Sequence, residues 1–449
     1  MGEMTRVVII GGSAAGMAAA AKAKRVDPSI DVIVFEKGGY VSYAPCGIPY
    51  YISGLVRDID ELVYYKLNYF IEKRGLDVRI HHLVTDIDPD NKVVYVKNLE
   101  NGKEYRVGYD KLMLATGGVP IKPPMDGVEL DGIHTLRLLE DGYSFRARVN
   151  KAKTVAIVGA GYVGIEVAEA LRSLNKRVLV FEMLDQVMPS LDKEAAKLVE
   201  EELVRNGVKL HLGEKVVAFE GGEKVKKIVT TKDSYPVDLV LMAVGVKPNV
   251  DLARRIGVEL GKTGAIRVNE MMETNIMDIY AGGDNTEAIN LVTGKPVYIP
   301  LAPAANKMGR VAGENMAGGE ARFPGVVGTS IVKAFDLEIG KTGLSLREAL
   351  EYGFDAVAVD IWHGVKSHYY PGFSKMYLRL VADRDTHRVL GMQAIGREGV
   401  LARVNTVATA LMAGMKTEEL KMLDLAYAPP FAPVWDPIIV AANVVERYY

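Results

Sequence analysis

Short aliphatic runs alternate with alanine-rich, amphipathic stretches along this chain, and one arrangement of them occurs twice. In each copy a buried strand leads into a glycine-rich turn, a helix and a second strand that ends at a glutamate. This is the order of a dinucleotide-binding βαβ unit. The predicted elements are a strand at 7–10, a helix to about 26 and a strand at 31–35, then a strand at 155–158, a helix to about 175 and a strand at 178–181. The repetition predicts two Rossmann-like domains of the α/β class.

The segments between and after the two units predict how the chain continues. Alternating apolar residues around turns predict a three-stranded meander with strands at 78–87, 92–98 and 104–109. Further buried strands, each ending at a glycine turn, are predicted at 112–118, 239–245 and 279–284, and a helix at 300–318. A proline-rich stretch after residue 119 indicates a linker, and the later strand and helix indicate a return to the first domain.

The pattern changes near residue 324, where strands with a single helix replace the βαβ units. The strands are predicted at 329–334, 356–362, 376–381 and 389–395, and the helix at 400–412. We predict a discontinuous first domain at 1–119 and 249–323, a second domain at 120–248, and a C-terminal α+β domain at 324–449.

Composition and charge exclude several classes of protein. The 449 residues carry a net charge of −2, so no basic field exists for nucleic acid. The sequence has no apolar run of about 18 residues, so no membrane span is predicted. Glycines interrupt the one N-terminal stretch that resembles a secretion signal. A single cysteine excludes an internal disulfide and fits a reducing compartment, so a cytoplasmic protein is predicted. We predict no metal site.

The first glycine-rich turn predicts a phosphate-binding loop. Its glycines allow a tight turn and close approach of the backbone to a pyrophosphate at the positive end of the helix. Glu36, at the tip of the next strand, is positioned to accept hydrogen bonds from a ribose. The loop residues are Gly11, Gly12, Ser13, Ala14, Ala15 and Gly16, where Ser13 stands in place of the middle glycine as a small, tolerated substitute.

The second turn has all three glycines, and Glu182 ends its second strand. A carboxylate at this place accepts from a ribose 2′-hydroxyl and repels a 2′-phosphate, which favours NADH over NADPH. The next three residues include no arginine that would hold the phosphate. The predicted nucleotide-binding residues are Gly159, Gly161, Tyr162, Val163, Gly164 and Glu166, followed by Gly245 at the end of a later strand.

The lone cysteine, Cys46, lies shortly after the first glycine loop in the sequence Ser42 to Tyr51. Without a second thiol, any redox cycle must pair this sulfur with a flavin, an oxidant or the sulfur of a substrate. Pro49 is typical of a helix start, and the positive end of that helix would favour the thiolate. The alternative is an inert, buried cysteine. Because a flavin can pass electrons to sulfur, we predict FAD on the first unit and NADH or NADPH on the second.

These motifs resemble the FAD-dependent pyridine nucleotide disulfide oxidoreductases over the whole chain. The form Ser42-x-x-x-Cys46-Gly47-x-Pro49-Tyr50 is similar to the active site of the single-cysteine branch that contains coenzyme A disulfide reductase, NAD(P)H oxidases and NADH peroxidases. The peroxidases carry a histidine in the first loop, which this chain lacks. The resemblance implies that the FAD site also includes Lys37, Ser42, Ala115, Thr116, Gly117, Gly283, Asp284 and Ala302, with Asp284 at the ribityl chain.

The resemblance also implies a homodimer with shared active sites, held by the C-terminal domain. Tyr369 and Tyr427 would reach across the dimer to the cysteine of the partner and serve catalysis, with Tyr370 as a possible substitute for Tyr369. Lys22 and Arg25 share one face of the first helix and would bind phosphates of a coenzyme A substrate together with Ser42 and Cys46. The alternatives are packing tyrosines and a solvated helix face.

The sequence thus predicts an NAD(P)H-dependent flavoprotein reductase of coenzyme A disulfide, or of a related persulfide or polysulfide. The nearest alternative is an NAD(P)H oxidase in which Cys46 cycles through a sulfenic acid and oxygen is the acceptor. A third hypothesis is a non-catalytic flavoprotein that serves as an interaction or sensor module. Electron transfer to a protein such as a ferredoxin gives no reason for the cysteine motif.

Overall fold

The computed structural model describes residues 4–449. The helices are α1 (Ala14–Val26), α2 (Ile48–Ser53), α3 (Leu139–Val149), α4 (Tyr162–Ser173), α5 (Lys193–Arg205), α6 (Asp251–Arg255), α7 (Ala302–Met316), α8 (Leu346–Glu351), α9 (Val400–Met412), α10 (Thr417–Leu420) and α11 (Pro437–Val445). Short 3-10 turns lie at Pro45–Gly47, Ile59–Leu62 and Glu446–Tyr448, and a π turn at Tyr69–Lys73.

The strands alternate with these helices in the first two thirds of the chain and dominate the last third. They are β1 (Arg6–Ile10), β2 (Asp31–Phe35), β3 (Asp77–Arg79), β4 (His82–Asp88), β5 (Val93–Asn98), β6 (Glu104–Gly108), β7 (Lys111–Leu114), β8 (Gly118–Pro120), β9 (Ile133–His134), β10 (Thr154–Val158), β11 (Arg177–Phe181), β12 (Lys209–His211), β13 (Val216–Gly221), β14 (Val225–Thr230), β15 (Ser234–Pro236), β16 (Leu239–Met242), β17 (Val246–Pro248), β18 (Ile279–Ala281), β19 (Ala288–Ile289), β20 (Pro296–Val297), β21 (Ser330–Ala334), β22 (Leu337–Gly343), β23 (Ala356–Gly364), β24 (Lys375–Asp383) and β25 (Val389–Gly396).

Two parallel sheets hold the two predicted dinucleotide units. The first has the order β18-β7-β1-β2-β3 and the second the order β12-β11-β10-β16-β9. Their central strands β1 and β10 are apolar and almost wholly buried, because helices cover one face of each sheet and a small antiparallel sheet covers the other. Each sheet also has a small antiparallel partner, β4-β5-β6 or β13-β14-β15. Both glycine turns therefore lie at the carboxyl ends of central strands, where α/β sheets bind ligands.

The return of the chain to the first sheet is visible in β18, which pairs in parallel with β7. Helix α7 then packs along α1 at very short range. A methyl group at Gly309 would lie 2.2 Å from the Ala15 carbonyl oxygen, and one at Gly313 would lie 2.3 Å from that of Ala19. Glycine is needed at both positions because the two helix backbones nearly touch.

The last third of the chain forms an antiparallel sheet of order β21-β22-β25-β24-β23, covered by α9 and α11. The α/β class with a C-terminal α+β part is thus confirmed, while the residue bounds of the three domains stay a prediction. No helix among residues 4–449 has the length and apolar character needed to cross a membrane.

Two strand predictions were wrong. The predicted strand at 78–87 is divided between β3 of the parallel sheet and β4 of the meander, because His81 turns the backbone with a φ of 56°. The prediction also missed β22, whose apolar alternation is limited to its first three residues, Leu-Glu-Ile, before Gly-Lys-Thr-Gly. Tertiary packing stabilises it: Gly340 leaves room for Val400 and Val404 of α9.

Candidate active site

The first glycine loop has the close backbone contacts that a phosphate-binding turn requires. Gly11 has a φ of +112°, and a Cβ there would lie 2.1 Å from the Ala115 carbonyl oxygen. A Cβ at Gly16 would lie 1.8 Å from the Gly11 oxygen, so the loop folds only with glycine at both ends. The Gly12 N–H donates to Glu36 Oε2 at 2.7 Å, which ties the loop to the tip of β2.

The second loop repeats this geometry. Gly159 has a φ of +103° and would carry its Cβ 2.4 Å from the Ala243 oxygen, and Gly164 packs equally tightly on Gly159. Glu182 is buried and accepts from the Ala160 N–H at 2.9 Å and from the Leu184 N–H at 3.0 Å. Its carboxylate is therefore fixed at the end of β11, beside the loop.

The middle position of each loop differs from the ends. Nothing lies within 4 Å of a Cβ built at Gly161, although it immediately precedes α4. Ser13 occupies the corresponding position before α1, and its side chain makes no capping bond to the helix. The space beside a middle residue is open, which explains why serine is accommodated in the first loop.

Most other predicted nucleotide residues lie around these loops or at strand ends. Asp284 follows β18, and the Arg137 guanidinium contacts its Oδ2 at 2.5 Å. The Tyr298 hydroxyl donates to the Asp284 carbonyl at 2.9 Å, and the Thr116 hydroxyl donates to the Asn249 carbonyl at 2.6 Å. Gly117, Gly245 and Gly283 all have positive φ, Ala302 begins α7, and Lys37, Val163 and Gly245 are exposed.

Both loops fit dinucleotides by their own contacts. Each forbids side chains where the backbone turns and has a carboxylate held by a loop amide at the next strand end. The second loop also has open space beside Gly161 at its helix start. Asp284, beside the first loop, is the residue that would meet the ribityl chain of FAD. Glu182, beside the second, would meet the ribose of NADH.

Cys46 lies within a 3-10 turn that leads into α2, with Pro49 in the first turn of that helix. The preceding Ser42 has a φ of 52° and donates its N–H to the Gly12 carbonyl at 3.0 Å. The cysteine segment is thus bonded directly to the first glycine loop. Cys46 is exposed, which favours a reactive thiol over the alternative of an inert, buried one.

The expected stabilisation of the thiolate by the helix is not observed. The surrounding protein raises the pKa of the Cys46 thiol by desolvation, and the Glu166 carboxyl raises it further, while Arg137 acts in the opposite direction. Helix α2 spans only Ile48–Ser53, so its positive end is weak beside these effects. These surroundings therefore favour the thiol of Cys46 over its thiolate.

Glu166, on α4 of the second unit, faces the cysteine segment. The Tyr50 hydroxyl lies 3.5 Å from its Oε1. Burial raises the pKa of Glu166 to about 7, an effect that the hydrogen bond from Tyr50 opposes. The site thus holds a carboxyl group that gains or loses its proton near neutrality.

Tyr369 and Tyr427 lie together on the C-terminal part. Their hydroxyl oxygens are 3.5 Å apart and both side chains are exposed. The Ser367 N–H donates to the Pro429 carbonyl at 3.2 Å and joins the two loops that carry them. The Tyr370 side chain is 38% exposed, less than that of Tyr369, and its hydroxyl makes no hydrogen bond with Tyr427. The two tyrosines form one exposed pair.

The two cations of α1 differ in their surroundings. Lys22 Nζ lies 2.8 Å from Glu314 Oε2 of α7, so it already has an acidic neighbour. Arg25 is exposed at the end of α1. Among residues 4–449, no group of three or more His, Cys, Asp or Glu side chains is arranged to hold a metal ion.

Sequence reasoning missed Arg137 and the Tyr50–Glu166 contact. Arg137 lies in the segment before α3, and nothing in its local sequence indicates an ion pair with a residue 147 positions away. Tyr50 is part of the cysteine motif, but its partner is on α4. Both contacts depend on how the two sheets are placed, which local patterns do not encode.

Two family profiles match the chain. The pyridine nucleotide-disulphide oxidoreductase profile matches residues 5–309, and the dimerisation domain of the same oxidoreductases matches residues 329–437. An NAD(P)H coenzyme A polysulfide/persulfide reductase of Pyrococcus horikoshii is 46% identical over 99% of this chain and 100% of its own length.

Other relatives carry related names. An NADH oxidase of Methanocaldococcus jannaschii is 36% identical over 98% of both chains. A coenzyme A disulfide reductase of Staphylococcus aureus is 31% identical over 96% of this chain and 97% of its own. Among solved structures, an NAD-dependent persulfide reductase from A. fulgidus has a TM-score of 0.96 and 41% identity, and covers 99% of this chain and 83% of its own.

Proposed function

This chain belongs to the pyridine nucleotide-disulphide oxidoreductase family, and from that premise we propose that it reduces coenzyme A disulfide, or a related persulfide or polysulfide, with NADH or NADPH. One observation carries the proposal: an exposed Cys46 bonded through Ser42 to the first glycine loop, with Glu166 of the second unit nearby. These contacts support a sulfur that exchanges electrons with the two proposed dinucleotide sites.

The protein residues perform the sulfur chemistry. The chemistry that FAD supplies when bound is acceptance of a hydride from the nicotinamide and delivery of the electron pair to sulfur. The Cys46 thiolate attacks one sulfur of the disulfide, a Cys46–substrate disulfide forms, and the other substrate sulfur leaves as a thiolate. One NADH, one proton and one disulfide give one NAD⁺ and two thiols. The substrate thus replaces a resolving cysteine.

Residues of α1 and of the C-terminal domain would contact the substrate. Lys22 and Arg25 would bind phosphates of coenzyme A, and for Lys22 this means exchanging or sharing its contact with Glu314. The dimerisation domain supports a homodimer. In that dimer Tyr369 and Tyr427 of one copy would reach Cys46 of the other and donate protons to leaving thiolates.

The choice of nucleotide and the cellular location are also proposed. The buried Glu182 would accept from a 2′-hydroxyl and repel a 2′-phosphate, so we propose a preference for NADH. A lone cysteine, which rules out an internal disulfide, supports a reducing compartment, the cytoplasm.

The Cys46→Ser variant tests the proposal. Anaerobic bleaching of the flavin by NADH should persist, while release of thiols from coenzyme A disulfide should fall to background, because only the sulfur has been removed. The Ser53→Ala variant is the matched control, since it changes a hydroxyl at the far end of α2. Thiol release retained by Cys46→Ser contradicts the proposed role.

A mass measurement identifies the thiol that Cys46 carries. The oxidised protein should hold a Cys46–thiol mixed disulfide, so its intact mass under denaturing, non-reducing conditions should exceed that of the chain by one small thiol. Treatment with a reductant should remove the increment. An unmodified mass in the oxidised enzyme would contradict the mixed-disulfide resting state.

A second candidate is an NAD(P)H oxidase, favoured by the NADH oxidase relative and by the exposure of Cys46. Oxygen consumption and thiol release measured on one enzyme batch separate the two activities. Oxygen uptake that matches NADH use, without thiol release, would favour the oxidase.

A further inference from the structure

A buried arginine connects the two loops that carry the exposed tyrosine pair. Tyr369 lies in the first tyrosine loop (residues 365–374, between β23 and β24), and Tyr427 lies in the second (residues 421–436, between α10 and α11). The two side chains are 64% and 48% exposed, so their own contacts hold them only weakly. Arg403 of α9, whose side chain is 6% exposed, contacts both loops from inside the domain.

The Arg403 guanidinium donates hydrogen bonds through all three of its nitrogens. Nε and Nη2 donate to Asp436 Oδ2 at 3.0 and 2.8 Å, at the end of the second tyrosine loop. Nη2 also donates to the Val365 carbonyl oxygen at 3.2 Å, at the start of the first loop. Nη1 donates to the Gly399 carbonyl oxygen at 3.2 Å, just before α9. Because a guanidinium is a rigid planar fork, these contacts fix the three segments relative to one another.

Glu398 adds a second connection between the first tyrosine loop and the start of α9. Its carboxylate accepts from Lys366 Nζ and from Ser374 Oγ, each at 2.8 Å. These two residues lie on either side of Tyr369, so the loop is bonded at both of its ends to one carboxylate. The hydrogen bond from the Ser367 N–H then joins this loop to the second one. The contacts thus hold both loops against α9.

We propose that Arg403 is a positioning residue for the sulfur chemistry, because it fixes the phenols of Tyr369 and Tyr427 relative to each other. The inference rests on the proposed function, in which the pair donates protons to leaving thiolates. With the hydroxyl oxygens 3.5 Å apart, both phenols can address one leaving sulfur. An error of about 1 Å in such an arrangement can cost on the order of a hundredfold in rate.

Positioning leaves the proton balance of the reaction unchanged. Each disulfide releases two thiolates in succession, and each takes one proton from the phenols, which are then reprotonated. One of these two protons is taken from solvent, and the other is released when the hydride of NADH gives up its electron pair to sulfur. Arg403 itself transfers no proton, since a guanidinium stays protonated at neutral pH.

The Arg403→Met variant tests this role. In holoenzyme reduced with NADH under anaerobic conditions, the single-turnover release of thiols from coenzyme A disulfide should fall about tenfold or more. Bleaching of the flavin by NADH should keep its wild-type rate, because that step does not involve the phenols. Arg379→Met is the matched control, since it removes another buried arginine whose partners lie in neither tyrosine loop. Its thiol release should stay within about twofold of wild type, and an equal fall in both variants overturns the proposal.

A combination of substitutions tests whether Arg403 acts through the tyrosines. The double variant Tyr369→Phe/Tyr427→Phe should release thiols slowly, and adding Arg403→Met to it should change the rate by less than about twofold. A further fall of about tenfold in the triple variant contradicts positioning, because Arg403 would then act by another route.

Hydrogen exchange measures the loops independently of activity. In Arg403→Met, the amides of peptides that cover residues 365–374 and 421–436 should exchange faster than in the wild type and in Arg379→Met. Unchanged exchange in these peptides overturns the proposal. A wild-type enzyme that reduces no disulfide overturns the proposed function instead, and the exchange result then decides alone whether Arg403 holds the two loops.

The Arg403→Lys variant separates the geometry of the fork from its charge. It keeps a cation beside Asp436, so it should fold and bind FAD even if Arg403→Met does not, but its single nitrogen cannot reach all three partners. Thiol release should therefore fall while the midpoint of thermal unfolding stays close to that of the wild type. Full thiol release by folded Arg403→Lys contradicts the need for the fork.

Discussion

Glu182 illustrates how one carboxylate can serve both a loop and a ligand. It is 8% exposed and accepts from two backbone amides, yet no cation lies at ion-pair distance among the described residues. Its charge is therefore directed at whatever occupies the second loop. In the proposed nucleotide site a ribose hydroxyl would satisfy this carboxylate and a phosphate would be repelled.

Replacing Glu182 by Gln should weaken the binding of NADH and reduce the discrimination against NADPH. Loss of a charge-assisted hydrogen bond costs about 1.5–3 kcal/mol, so KM for NADH should rise about tenfold or more while the ratio of kcat/KM for NADPH to that for NADH rises. Steady-state kinetics with both nucleotides measure this. The control is Glu201→Gln, an exposed carboxylate on α5. An unchanged ratio in Glu182→Gln would refute the role.

For individual residues, the sequence predicts the contacts that form within one motif or one βαβ unit. The glycines, Glu36, Glu182 and the cysteine motif follow from spacing, since each works through neighbours a few residues away or one βαβ unit away. Arg137 at Asp284 and Tyr50 at Glu166 do not follow, because each pair joins separate units. The direction of the pKa shift of Cys46 was likewise mispredicted, since desolvation and the charge of Glu166 depend on the assembled cleft.

Helix pairs position the first loop. Helices α1 and α7 meet at Gly309 and Gly313 with no room for a methyl group. Because α1 begins at the glycine loop and α7 begins near Asp284, this contact fixes the two sides of the FAD site relative to each other.

Gly309→Ala should lower both stability and FAD content. The new methyl group would press on the Ala15 carbonyl at 2.2 Å, and overpacking of this kind costs about 1–3 kcal/mol. Thermal unfolding and the ratio of flavin to protein absorbance measure the effect. Gly222→Ala is the control, since nothing lies within 4 Å of a Cβ there. Equal behaviour of the two variants would contradict the packing argument.

Elements with strong periodicity were predicted well, as α1 and α9 show. The failures have physical reasons. Strand β22 is stable because neighbours on both sides pair with it and α9 covers it, not because of its own residues. The break at His81 arises from a single residue with positive φ between two strands of different sheets.

Across the whole molecule, an ionic network centred on the buried Arg379 joins the second nucleotide unit to the C-terminal sheet. Arg379 of β24 contacts Glu194 at 2.6 Å and Asp360 at 2.7 Å, and lies 3.4 Å from Asp192. The Gln393 amide donates to the same Asp192 at 2.7 Å. The start of α5 is thereby fixed against the sheet.

Arg379→Met should destabilise this junction. The arginine side chain is 7% exposed and Asp192 is 8% exposed, so the carboxylate would lose a buried cation at a cost of about 1–3 kcal/mol. The midpoint of thermal unfolding should fall. Arg384→Met, which removes an exposed pair with Asp355, should change it little. Similar midpoints for both variants would show that the junction adds no stability.

The hydrogen-bonded loops that carry Tyr369 and Tyr427 bear on how activity depends on protein concentration. Since the hydrogen bond between Ser367 and Pro429 joins these loops, the two phenol side chains stay together on the protomer that carries them. In the shared active site that we propose, each cysteine would lose both phenols at once when the protomers separate. The specific activity would then decline along a single dissociation curve, without an intermediate in which one phenol remains.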